Sequence, residues 1–135
     1  ALSQQHNRDV PFAFNRKEAK DHGEGGEVVG APLRGRVVII DDVITAGLSV
    51  EESVRIIRAA GAEPAAVAIA LDREEKMNTS EHSAVAEVET QFDFPVHAIA
   101  HFSTLVTYLG SHSDLARYVP AMTAYRSQYG AKTSC

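Results

Sequence analysis

The feature that most constrains this chain is residues 37–49, Val-Val-Ile-Ile-Asp-Asp-Val-Ile-Thr-Ala-Gly-Leu-Ser, in which four apolar residues run straight into two aspartates. A short, continuously apolar, β-branched run predicts an interior strand of a parallel sheet over 36–40. Asp41 and Asp42 then stand at its carboxyl end, where open α/β sheets bind ligands. Two adjacent carboxylates repel each other unless a cation or a set of hydroxyls faces them, and ribose hydroxyls with magnesium meet that need. Gly47 lets the backbone turn where a side chain would clash. The amides of the turn and of the helix that follows converge on one point, and the helix dipole favours an anion there. Thr45 and Ser49 add hydroxyl donors, so one segment can hold a ribose through carboxylates and its phosphate through amides. The same letters also fit a plain strand–turn–helix with solvated aspartates and Ser49 as the N-cap. Neither a Walker loop nor a three-glycine dinucleotide fingerprint is present, since no Gly-Lys-Ser/Thr or spaced glycine triplet follows the strand.

Beyond this segment the apolar period becomes helical from about Ser49 to Ala60. Val50, Val54 and Ile57 share one face, acids precede arginines in line with the helix dipole, and Gly61 is a natural stop. Further strands are expected over 65–71 and 95–101, with helices near 81–91 (capped by Ser80), 103–109 and 113–129. Residues 10–14 read as a short buried strand with Pro11 near its start. Residues 15–27 have no apolar period and three glycines, and so read as a long exposed loop. Alternating strands and helices from Val37 onward imply an α/β fold with a parallel sheet of about four strands flanked by helices. The 135 residues amount to one domain. Residues 1–5 read like the end of a helix already under way, so the expectation is a partial domain whose natural chain extends N-terminally.

A net charge of −5 argues against a nucleic-acid or anionic-membrane binder. An anionic ligand must therefore be held by local cations and backbone amides. The single cysteine, Cys135, allows no internal disulfide. With no signal segment and no apolar run of bilayer length, the chain reads as cytoplasmic. His97 and His101 lie on an expected strand, about 13 Å apart, too far for one metal, and are read as structural. Tyr118, Tyr125 and Tyr129 fit helical packing.

Residues 37–49 resemble the signature of type I phosphoribosyltransferases: an apolar run, two acids, then Thr-x-Gly and a hydroxyl residue. Residues 14–26, Phe-Asn-Arg-Lys-Glu-Ala-Lys-Asp-His-Gly-Glu-Gly-Gly, are similar to the catalytic lid of the orotate phosphoribosyltransferase family, and the similarity continues through residues 70–74, Ala-Leu-Asp-Arg-Glu. The resemblance implies a type I phosphoribosyltransferase-like fold and transfer of a phosphoribosyl group from phosphoribosyl diphosphate to orotate, giving orotidine 5′-phosphate and diphosphate. It also implies Mg2+ as cofactor and a homodimer in which the lid reaches the neighbouring subunit's site.

Carried over by position, Asp41 and Asp42 would bind the ribose hydroxyls and, through the substrate, magnesium. Val43, Ile44, Thr45, Ala46, Gly47, Leu48 and Ser49 would receive the 5′-phosphate. Arg16, Lys17, Lys20 and His22 would contact diphosphate oxygens, with Lys20 mattering most to the chemical step. Thr45 and Arg73 would sit near orotate, although Arg73 also reads as a surface partner for Glu74 or Glu75. Leu48 departs from the family's Thr or Ser and removes one hydroxyl from the phosphate loop. The competing expectation is a non-catalytic regulator that binds phosphoribosyl diphosphate; the lid favours an enzyme, because a sensor has little need of leaving-group chemistry.

Overall fold

The computed structural model describes residues 2–16, 28–77 and 80–131. Its centre is a parallel sheet of β3 (Arg36–Asp41), β4 (Glu63–Asp72) and β5 (Val96–His101), in that spatial order; a separate antiparallel pair is formed by β1 (Ala13–Asn15) and β2 (Val28–Gly30). Helix α1 (Leu2–His6) precedes β1, α2 (Leu48–Ala59) connects β3 to β4, and α3 (Ala84–Phe92) connects β4 to β5. After β5 come α4 (Phe102–Gly110), a 3-10 turn (Ala116–Tyr118) and α5 (Val119–Tyr129).

Alternation along β3 explains how α2 is seated. Ile39 faces inward and is buried, and on the helix Val50, Val54 and Ile57 recur at the spacing of one face. These side chains join Ile44, Val67, Ile69, Ala84, Val88 and Phe94 in one core cluster, so α2 and α3 cover the same face of the sheet. Val50 and Val67 have no exposed surface, and burial of side chains this size stabilises the fold by about 1.5–3 kcal/mol each. Helix α2 ends as the sequence suggests: the Gly61 N–H donates to Arg58 O and the Ala62 N–H to Ile57 O, closing the last turn.

Several expectations change. Among the described residues the sheet has three parallel strands rather than four, and β3 lies at its edge, paired with β4 alone. Its outward residues are bare: Val38 is 54% exposed and Ile40 83%, and Ile99 of β5, on the far side of β4, is 88% exposed. An apolar run of this kind records two-sided burial, and in this chain one side is uncovered. The strand expected over 10–14 begins only at Ala13 and is not buried, with Phe12 and Phe14 largely exposed. Its partner β2 was not anticipated, being three residues long. Gly30 is required where they meet: at φ +117 an added Cβ would lie 2.5 Å from Phe12 O. Ser83, not Ser80, caps α3, accepting from the Ala86 N–H at 3.1 Å, while the Ser80 hydroxyl turns to Glu87. The helix expected over 113–129 is broken into the 3-10 turn and α5, with Pro120 in the first turn of α5.

Candidate active site

Parallel strands bring their carboxyl ends to one edge of the sheet, and the chemistry-bearing residues gather there. Asp41 is the last residue of β3, Asp72 the last of β4 and His101 the last of β5. The Asp42 carbonyl accepts from the N–H groups of Ala70 and Leu71, at 3.0 and 3.2 Å, which ties the acidic pair to the segment that leads into Arg73.

The turn after β3 is organised by its own carboxylates. Asp41 Oδ1 accepts from the Asp42 N–H at 2.9 Å and Asp42 Oδ1 from the Val43 N–H at 2.7 Å. Asp41 Oδ2 accepts from the Ser49 hydroxyl at 2.7 Å, eight residues on, which folds the loop back on the strand end. Ile44 is buried in the core and pins the middle of the loop, so its contribution to a ligand is confined to its backbone. Val43 is half-buried; Thr45 and Ala46 are exposed at the crest.

Gly47 caps α2 at φ 72, with no side-chain cap. Ser49 therefore does not cap the helix, as the plainer reading supposed; it is the second helical residue, and its hydroxyl serves Asp41. The first N–H groups of a helix have no intrahelical acceptor, and the absence of a capping side chain leaves them open to an anion. Leu48 stands at the helix start with 70% of its surface exposed, placing an apolar group where the resemblance would put a hydroxyl.

Arg73 follows β4 and is held by Glu75, with Nη2 2.9 Å from Oε2. Glu75 Oε1 accepts a 2.5 Å hydrogen bond from the Tyr125 hydroxyl of α5. That hydrogen bond, with some desolvation, raises the Tyr125 phenol above its usual 10.0. Glu74 sits at φ 54 and crosses to α4, accepting from the Ser103 N–H and hydroxyl at 3.1 and 2.6 Å, with Arg126 3.5 Å away. The Arg73 pairing offered by the sequence is thus present, yet a planar guanidinium engaged at one nitrogen still has donors to spare. His101 lies 3.6 Å from Asp72, and no group of three metal-ligating side chains occurs among the described residues. Arg16 is described and exposed just after β1, whereas Lys17, Lys20 and His22 lie outside the described residues. Glu75 was among the partners offered for Arg73; the Tyr125 hydroxyl, fifty positions away in sequence from Glu75 and read only as packing, was not anticipated as its second contact.

The arrangement is a carboxylate pair at a strand end, followed by a glycine-initiated helix, on a parallel sheet. A family model for the phosphoribosyl transferase domain matches residues 1–100, and the chain belongs to that family. Among its relatives, it is 56% identical over 130 residues to the orotate phosphoribosyltransferase of Thioalkalivibrio sulfidiphilus, covering 96% of this chain and 61% of that protein. It is 62% identical over 127 residues to the orotate phosphoribosyltransferase of Bordetella pertussis, covering 91% and 57%. The crystal structure of the Francisella tularensis orotate phosphoribosyltransferase superposes with a TM-score of 0.78 at 32% identity, covering 96% of this chain and 61% of that one. The chain thus spans about three-fifths of the length of these relatives. The fold is the type I phosphoribosyltransferase-like parallel sheet with its flanking helices. No helix among the described residues is long and apolar enough to cross a membrane.

Proposed function

We propose that this chain is the phosphoribosyl-diphosphate-binding part of an orotate phosphoribosyltransferase, which converts orotate and phosphoribosyl diphosphate to orotidine 5′-phosphate and diphosphate in the cytoplasmic synthesis of UMP. Residues 1–135 form one partial domain of that enzyme. The observation that carries the reading is the closed turn from Asp41 to Ser49 at the carboxyl end of β3. The names of the 56–62% identical relatives supply the base.

In this reading Asp41 and Asp42 accept hydrogen bonds from the ribose hydroxyls, while the amides from Thr45 to Ser49 surround the 5′-phosphate. The donors at the strand end are carboxylates and hydroxyls, hard oxygen ligands that suit Mg2+, and Asp42 is exposed enough to reach one. Magnesium there would neutralise charge on the diphosphate. The base nitrogen attacks the anomeric carbon as the bond to diphosphate breaks; the ribose becomes oxocarbenium-like, and negative charge collects on the leaving oxygens. Arg16, Lys17, Lys20 and His22 of the lid stabilise that charge, and closure excludes water. Thr45 and Arg73 face the base, Arg73 pairing with its carboxylate. The resemblance of residues 14–26 to the family's lid supports a homodimer in which each subunit's lid serves its partner's site.

The test is a panel of bases presented to the native-length protein with phosphoribosyl diphosphate and Mg2+, with diphosphate release as the readout. Release with orotate alone among pyrimidine and purine bases is expected. Release with a purine and none with orotate contradicts the assignment.

A further inference from the structure

The guanidinium of Arg73, just past the end of β4, is oriented by contacts that reach it from α5. Its Nε is covered by protein and has no hydrogen-bond partner among the described residues, so the stem does not hold the plane. The contact that does is Nη2 to Glu75 Oε2 at 2.9 Å. Glu75 is in turn held at its other oxygen by the Tyr125 hydroxyl, fifty residues along the chain on α5. Tyr125 is itself fixed between two rings, with centroids 5.8 Å from Phe102 and 4.8 Å from Tyr129. Backbone bonds lash the same segment to the end of α5: the Lys76 N–H donates to Tyr129 O and the Ala131 N–H to Glu74 O, at 2.9 and 2.8 Å.

These contacts form a chain from α5 through Glu75 to Arg73. The carboxylate takes one edge of the guanidinium and leaves Nη1 for a second anion, and the side chain is 36% exposed. We propose that Glu75 and Tyr125 are positioning residues for the Arg73 guanidinium, so that the C-terminal helix sets the affinity of the site for a carboxylate-bearing base. This rests on the reading that Arg73 meets the carboxylate of orotate. Tyr125 touches no reactant and acts only by keeping Glu75, and hence the free edge of Arg73, in one orientation.

The experiment compares Tyr125→Phe, Arg73→Lys and the double variant in the native-length protein, measuring KM for orotate, KM for phosphoribosyl diphosphate, kcat and Tm. Phenylalanine keeps the ring packing and removes only the hydroxyl. Tyr125→Phe should raise the orotate KM by about fivefold, the equivalent of one hydrogen bond, with the phosphoribosyl diphosphate KM unchanged and Tm lowered by no more than the loss of that one bond. In the Arg73→Lys background the same change should have no further effect on the orotate KM, because the residue through which it acts is gone. An unchanged orotate KM in Tyr125→Phe beside a raised one in Arg73→Lys overturns the positioning role and leaves Arg73 in place. An unchanged orotate KM in Arg73→Lys removes the assignment of Arg73 itself, and the positioning role with it. A fall in Tm with both KM values raised marks Tyr125 as merely structural, and also overturns the proposal.

Discussion

The Ser49 hydroxyl donates a 2.7 Å hydrogen bond to Asp41 Oδ2, joining the first turn of α2 to the end of β3 across the loop between them. The bond fixes the distance between a carboxylate suited to ribose hydroxyls and the helix terminus suited to a phosphate. Ser49→Ala should therefore weaken phosphoribosyl diphosphate binding about fivefold, a loss on the scale of one hydrogen bond, in calorimetry. Equal affinity in the two proteins would make the bond incidental to the site.

Leu48 offers a gain in place of a loss. Its side chain is exposed at the helix start and contributes nothing to the core cluster. Leu48→Thr adds a hydroxyl at the helix start, where the proposed function puts the 5′-phosphate, and should tighten phosphoribosyl diphosphate binding by about threefold. Tighter binding in titration with magnesium present is the expected outcome; weaker binding would mean that the leucine makes contacts of its own with the ligand.

Gly47 couples the site to stability. At φ 72 a side chain is strained, and an added Cβ would lie 3.2 Å from Cγ2 of the buried Val88. Gly47→Ala should cost about 1–2 kcal/mol, read as a lowered urea midpoint with an unchanged slope. No loss of stability would show that the turn relaxes to another conformation without penalty.

The lid makes a kinetic prediction. Lys20→Ala should lower kcat while leaving orotate binding nearly intact, because the proposed function has its charge meet the departing diphosphate. Mixing this variant with one lacking Arg73 should restore part of the activity, because heterodimers then hold one intact composite site. Verified heterodimers with no recovery would confine each lid to its own subunit.

What could be read from the sequence follows the range of the forces involved. The strand–turn–helix at 37–49 was legible because its signals are local: apolar continuity, two acids, one glycine. The seat of α2 was legible because Val50, Val54 and Ile57 obey one helical period. Caps were less so. Ser80 was read as the N-cap of α3, and only the fold shows that the Ser83 hydroxyl meets the Ala86 N–H. The edge position of β3 was misread, because Val38 and Ile40 carry the apolar character of a covered strand while lying open. Least legible were contacts between distant segments. Nothing near Tyr125 in sequence announces that it meets Glu75, and nothing near Ser103 that Glu74 caps its helix.

The central claim is that the acidic pair before the glycine turn carries phosphoribosyl diphosphate. Its most direct test is calorimetric titration of that ligand, with Mg2+, into the native-length protein and its Asp41→Asn/Asp42→Asn variant. Asparagine keeps the shape and removes both charges, so Tm serves as the control for folding. The account predicts at least a tenfold loss of affinity, about 1.4 kcal/mol, at unchanged Tm. Unchanged affinity in a folded double variant would contradict it, and would move ribose and magnesium binding away from the end of β3.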